Sequence, residues 1–191
     1  RESALCARHG CSVAHCPSSN LKLASGIAPI AKLLQAGINV GLGTDGAASN
    51  NRLDVLLEGR TAALLAKGAS GRATAWSAHE TLHAMTLAGA RALGLGDRIG
   101  SIEAGKCADL VAVDLSGLQT APVFDPVSQL VYAAGREQVS EVWIAGKAVV
   151  SKRQLAENEA RSRVSEVVGR GRLWHNRIGK ILPEGLSALA S

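Results

Sequence analysis

The sequence predicts an α/β fold of the parallel-sheet or barrel kind, and three observations carry that prediction. Residues 1–98 alternate short apolar runs with helix-period segments over short connections. The second apolar run, Ile38 to Leu42, opens into a loop of Gly, Ala, Ser and Asn built around one acid, Asp45. From Gly100 the texture changes to short β-rich runs with tight turns, which marks a second, smaller unit.

Residues 3–9 read as the end of a helix stopped by Gly10. Ser12 to His15 is a short apolar run ended by Pro17 and fits a buried strand, while residues 17–26 are polar and turn-rich. Ile27 to Ala36 carries Ile30, Leu33 and Leu34 at helical spacing and stops at Gly37. Ile38 to Leu42 is the second strand, and residues 43–51 are its loop. Helices are expected over Leu53 to Lys67 and Ala78 to Ala92. Two strands cannot form a sheet buried on both faces, so partner strands are expected from further chain. The first residue is Arg, not Met, which gives the same expectation of a piece whose start lies upstream.

Beyond Gly100, strands are expected over Ala108 to Val113 and Val139 to Ile144, with a tight turn at 145–147 into Ala148 to Val150. The tail places Val164, Val167, Trp174, Ile178 and Ile181 along helical segments, which Gly169 and Gly171 are expected to interrupt. The division is therefore 1–98, 99–151 and 152–191.

Composition excludes several classes. Hydrophobic residues are 47% of the chain, far from the disordered regime, but aromatics are only 3%, too few for base-stacking nucleic-acid modules. Of the net charge of +5, residues 151–191 hold +4 and the first 150 only +1. The basic character belongs to the tail, and a nucleic-acid footprint over the whole protein is not indicated. Neither a membrane span nor a signal peptide is expected. Cys6, Cys11, Cys16 and Cys107 lack paired zinc-knuckle spacing, and reduced thiols of a cytoplasmic protein are the better reading. A homo-oligomer is left open.

The loop from Gly41 to Gly46 formally matches G-x-G-x-x-G. A dinucleotide site needs bare backbone N–H groups for pyrophosphate, and Asp45 would set negative charge against it. Two readings remain on spacing alone. Asp45 at the C-terminal end of a parallel strand is placed to ligate a metal and take a proton from its water, or it simply caps the next helix.

The segments Val13-Ala14-His15-Cys16-Pro17-Ser18-Ser19-Asn20-Leu21-Lys22 and Gly43-Thr44-Asp45-Gly46-Ala47-Ala48-Ser49-Asn50-Asn51 resemble the amidohydrolase superfamily. The nearest branch is that of methylthioadenosine/adenosylhomocysteine deaminases and their triazine-hydrolase relatives. Gly100-Ser101-Ile102-Glu103-Ala104-Gly105-Lys106, Ala108-Asp109-Leu110-Val111 and Asp125-Pro126-Val127-Ser128-Gln129 are similar to it as well. The resemblance covers roughly residues 10–155.

It implies the C-terminal part of a (β/α)8 TIM-like barrel, with 13–15 as the seventh strand and 38–42 the eighth, plus part of a small β-sandwich. A zinc ion or similar divalent metal at the barrel mouth, and a small adenine nucleoside as substrate, are implied with it. Asp45 matches the family's last metal ligand, which also takes the proton from the attacking water. The family's His-x-His pair, its further histidines and its acid–base glutamate have no counterpart here. One carboxylate cannot hold a catalytic zinc, which wants at least three protein ligands. The chain alone is therefore expected to be inactive, and to need the remaining barrel portion as its partner. Guanine, 8-oxoguanine or triazine substrates are the variants within the same superfamily.

Around that mouth, His15 is read as a satisfied structural residue or a substrate contact. Asn20, Ser49, Asn50 and Asn51 are read as loop-fixing groups or substrate contacts. His79-Glu80-Thr81-Leu82-His83 matches the H-E-x-x-H of metalloproteases literally, but its only later histidine is His175 in the tail.

Overall fold

The computed structural model describes residues 2–155 and 158–179. The chain opens with α1 (Glu2–Arg8), released at Gly10, whose φ of +62° suits a residue without a Cβ. Strands β1 (Ser12–His15) and β2 (Asn39–Leu42) pair in parallel, with His15 opposite Leu42. The Gly43 N–H donates to the His15 carbonyl at 3.0 Å, which carries the ladder one step past the strand end. Both strands therefore deliver their loops on the same side.

Between them lie α2 (Pro17–Lys22) and α3 (Ile30–Gln35). The stretch read as a turn-rich loop thus contains a helix. Pro17 occupies its first turn, where a missing N–H costs nothing, and six residues are too few to show a period. Helix α4 (Val55–Ser70) starts on Asp54, whose carboxylate accepts the Leu57 N–H at 3.1 Å, and stops at Gly71 with φ +66°. The segment expected as one helix over 78–92 is two, α5 (Ala78–Met85) and α6 (Leu87–Ala92), divided at Thr86. There the Thr86 hydroxyl donates to the Leu82 carbonyl at 2.7 Å. The break turns α6 onto β2, where a Cβ on Gly41 would lie 2.9 Å from the Gly89 Cα. Glycine at 41 is what lets helix and strand backbones approach so closely.

The core gathers Ile30, Val40, Ala62, Trp76 and Ala84, with Val13, Leu33, Leu34, Leu42 and Ala66 packed against it. A second unit follows. Strands β3 (Leu110–Val113), β4 (Val139–Ile144), β5 (Lys147–Ser151) and β6 (Gln154–Leu155) form an antiparallel sheet in that order. Helix α7 (Pro126–Tyr132) links the sheet back to α4 through Arg60, which donates to the carbonyls of Val131 at 3.2 Å and Ala134 at 2.5 Å.

Helix α8 (Asn158–Gly179) runs unbroken through Gly169 and Gly171, against expectation. Each glycine costs about 1 kcal/mol relative to alanine, which raises the cost of the helix without severing it. The 2.7 Å ion pair from Arg170 to Glu166 spans Gly169 at i, i+4 spacing. Ile181 lies outside the described residues. No described helix is long and apolar enough to cross a membrane.

Candidate metal centre

Asp45 stands three residues past the end of β2, exposed, with φ +59°. That left-handed backbone is uncommon for a residue with a Cβ, although aspartate tolerates it better than most. Asp54, not Asp45, caps α4, so the capping alternative for Asp45 is not realised. Two hydroxyls instead fix the Asp45 carboxylate. Ser19 Oγ on α2 donates to Oδ2 at 2.7 Å, and Ser49 Oγ from the same loop donates to Oδ2 at 2.8 Å. These bonds, with a further one from the Gly46 N–H, hold the carboxyl below its ordinary pKa. Oδ1 accepts from neither serine. The result is an exposed, anionic carboxylate that two hydroxyls anchor at the loop surface through Oδ2.

The loops after β1 and β2 are locked to each other. Lys22 Nζ reaches from the end of α2 to the Ala48 carbonyl at 2.8 Å and Asn51 Oδ1 at 2.7 Å. Beneath them Glu58 on α4 is fully buried. Its Oε2 accepts the Ser18 N–H at 3.0 Å, and its Oε1 accepts Asn50 Nδ2 at 2.8 Å. Asn50 Oδ1 in turn accepts the N–H groups of Arg52 at 3.3 Å and Leu53 at 3.4 Å. Ser49 and Asn50 thus both make loop-fixing bonds. Asn20 lies on α2 beside Ser19, half-buried. Sequence reasoning passed over Ser19, Lys22 and Glu58.

His15 ends β1, only 4% exposed, with its ring 5.8 Å from that of Trp76 at an interplanar angle of 34°. Burial pushes the imidazole below its ordinary 6.5, against the opposing pull of the Glu58 carboxylate. Next to it, burial and the nearby Asp45 charge push the Cys16 thiol up, which keeps it protonated. The depressed His15 value has a stability consequence. Between the folded value and 6.5 the unfolded chain binds more protons than the folded one, so stability is complete above 6.5 and falls as pH drops below it. Urea midpoints of the complete protein at pH 5.5 and 7.5 should therefore differ in favour of pH 7.5 by more in the parent than in His15→Gln. Equal differences would show that His15 is not buried as a neutral imidazole.

The H-E-x-x-H string lies on α5 with His79 and His83 both exposed. Glu80 serves that helix's own start: its Oε2 accepts the Ser77 N–H at 2.7 Å and the Ser77 hydroxyl at 2.8 Å, a capping box. Among the described residues no three His, Cys, Asp or Glu side chains are grouped to hold a metal. Asp45 fits a divalent cation as a single anionic oxygen donor, and the other ligands of a catalytic site would have to come from elsewhere. An open cleft of about 500 Å³ lies between Arg91, Asp97, Glu103 and Lys106. No mouth residue lines it, and Lys106 there is committed to Glu103, Ser101 and the Gly96 carbonyl.

The amidohydrolase family model matches residues 1–149. The chain belongs to the amidohydrolase family. Among curated relatives, the 5-methylthioadenosine/S-adenosylhomocysteine deaminase of Teredinibacter turnerae is 47% identical over 92% of this chain and 39% of its own length. That of Moorella thermoacetica is 48% identical over 88% of this chain and 40% of its own. The chain thus spans about two fifths of the length of the curated relatives it matches. Among solved structures, an adenosine deaminase from Xanthomonas campestris with bound zinc is 56% identical at a TM-score of 0.85, over 93% of this chain and 39% of the other. Atrazine chlorohydrolase from Arthrobacter aurescens, complexed with zinc, is 31% identical at a TM-score of 0.82, over 88% of this chain and 37% of the other. These neighbours support the α/β fold read from the sequence.

Proposed function

We propose that this chain is the C-terminal part of a zinc-dependent aminohydrolase that converts methylthioadenosine, S-adenosylhomocysteine or a similar adenine nucleoside to its inosine analogue and ammonia. The observation that carries the proposal is the anchored Asp45 carboxylate at the end of β2, in a chain close to half identical to proteins of that name. In this reading β1 and β2 are the last two strands of a (β/α)8 barrel formed by residues 1–98. Residues 99–151 contribute to a composite β-sandwich, and 152–191 form an appended basic tail. The missing barrel portion is the partner the chain requires. It covers apolar side chains otherwise left in water, among them Leu21, Leu23 and Leu53 near the mouth, which are 47%, 61% and 52% exposed.

A bound zinc would supply Lewis acidity and make a ligated water a stronger acid. Asp45 Oδ1 is placed to ligate it and to take a proton from the attacking water, whose oxygen adds to the adenine carbon bearing the amino group. The amino nitrogen gains one proton from an acid of the upstream barrel and leaves as ammonia as the carbon–nitrogen bond breaks. The proton taken by Asp45 goes to the adjacent ring nitrogen, and the added hydroxyl, becoming the carbonyl, returns its proton to the acid. Ser19 and Ser49 keep Asp45 ionised for that task. His15 and Asn20 border the substrate side of the mouth, while Ser49 and Asn50 act mainly on the loop. The reducing interior of the cell, where Cys6, Cys11, Cys16 and Cys107 stay free thiols, suits such an enzyme.

Metal content and ammonia release from methylthioadenosine test this, on the chain alone and on the chain joined to its upstream sequence. Only the longer protein should hold about one zinc and release ammonia. A chain that does both by itself would overturn the assignment. Turnover of guanine or a triazine but no adenine nucleoside would move the substrate to another branch of the family.

A further inference from the structure

The two hydroxyls that fix Asp45 share a common support. Ser19 follows Ser18, whose N–H is held by Glu58 Oε2, and Ser49 precedes Asn50, whose amide is held by Glu58 Oε1. One carboxylate therefore grips both loops, each at the residue adjoining a serine bonded to Asp45. One of these bonds spans 40 positions of chain, the other 8. Glu58 is 0% exposed. Taking a carboxylate out of water costs several kcal/mol, and here two hydrogen bonds to the neighbouring loops offset it. An apolar side chain at this site on α4 would leave the Ser18 N–H and the Asn50 amide without their acceptor.

We infer that Glu58 is the positioning residue for Asp45, setting the orientation of the metal-binding oxygen through Ser18–Ser19 on one side and Ser49–Asn50 on the other. The inference rests on the reading of Asp45 as a metal ligand. It makes a demand on polarity as well as on packing. Both Glu58 oxygens must accept, and Asn50 must donate with its nitrogen while its oxygen receives the Arg52 and Leu53 N–H groups. Glu58→Gln keeps the shape but offers an acceptor to only one of the two donors. Pairing it with Asn50→Asp reverses the side-chain bond and restores every acceptor, because acid and amide exchange places across the pair at unchanged total charge.

In the complete zinc enzyme, Glu58→Gln should weaken zinc binding roughly 10- to 100-fold by chelator competition. Turnover should fall by a comparable factor while KM stays near the parent value. The double variant Glu58→Gln/Asn50→Asp should return zinc affinity and turnover to within about threefold of the parent. Zinc affinity unchanged in Glu58→Gln, a loss confined to melting temperature, or no recovery in the double variant would each overturn the inference. If Glu58→Gln does not fold, Asn50→Ala, which removes one arm of the grip, is read by the same criteria. Asp45→Asn measured alongside separates the two possible failures. Unchanged zinc affinity there removes the ligand assignment and this inference with it. Lost affinity there with none lost in Glu58→Gln removes this inference alone.

Discussion

Asp45→Asn in the complete enzyme is expected to lower turnover roughly 10²- to 10⁴-fold and to reduce its zinc content. The substitution is a clean one. An asparagine keeps the size of the side chain and an oxygen able to accept from both Ser19 and Ser49, so the loop has no reason to rearrange. What it loses is the negative charge, which those hydroxyls and the Gly46 N–H stabilise in the parent. A neutral amide is a poorer ligand for a divalent cation and cannot take a proton from water at neutral pH. Zinc loss and turnover loss should therefore appear together, in metal analysis and in ammonia release. Near-normal turnover with full zinc occupancy would remove Asp45 from the site. Loss of zinc with no loss of turnover would remove the metal from the reaction.

On spacing alone Asp45 stays open between a metal ligand and a helix cap, and what points it to a metal is the resemblance of residues 43–51 to the amidohydrolase superfamily. The strands β1 and β2 were legible from the residues themselves: short apolar runs between a glycine and a proline or loop leave little else to form. Glu58 was not, because between Leu57 and Gly59 it looks like any solvated acid on a helix. Its burial comes from loops whose contacts the local sequence does not describe, at Ser18 and Asn50. A signal did exist. Glu58 shares its face of α4 at i, i+4 spacing with Ala62, which is 1% exposed, and then with Ala66, so the acid falls on the helix's buried stripe.

The misread helices have physical reasons too. Residues 78–92 carry one continuous apolar pattern, and the break at Thr86 reflects the seating of α6 on β2, a tertiary demand that periodicity does not record. In the tail the difference is the opposite one: Gly169 and Gly171 lower the local helix propensity, but a helix of 22 residues absorbs their cost without breaking. Local signals were reliable where the chain's own chemistry decides conformation, as at Gly10 and Gly71, and failed where distant contacts decide it.

The largest expected effect on stability belongs to Trp76. It is 5% exposed, sits in the main core and covers the His15 ring, yet it adopts φ +48°, a conformation rare for a bulky side chain. Lys67 holds it there by donating to the Ala75 carbonyl at 2.7 Å and the Trp76 carbonyl at 2.9 Å, and Ser77 at once begins α5. The core thus gains a large ring at the expense of some backbone strain. Trp76→Ala in the complete protein should cost about 3–5 kcal/mol, read from urea denaturation midpoints, because it removes the ring and leaves a cavity while keeping the strain. Trp76→Gly leaves the same cavity but occupies positive φ freely, so it should be no less stable than Trp76→Ala. A cost below about 1 kcal/mol for Trp76→Ala would mean that the ring is not packed as described. Trp76→Gly falling well below Trp76→Ala would mean that the left-handed backbone at Trp76 is not strained. With the ring gone, water reaches His15, its imidazole should titrate nearer its ordinary 6.5, and the extra loss of stability at acid pH should shrink.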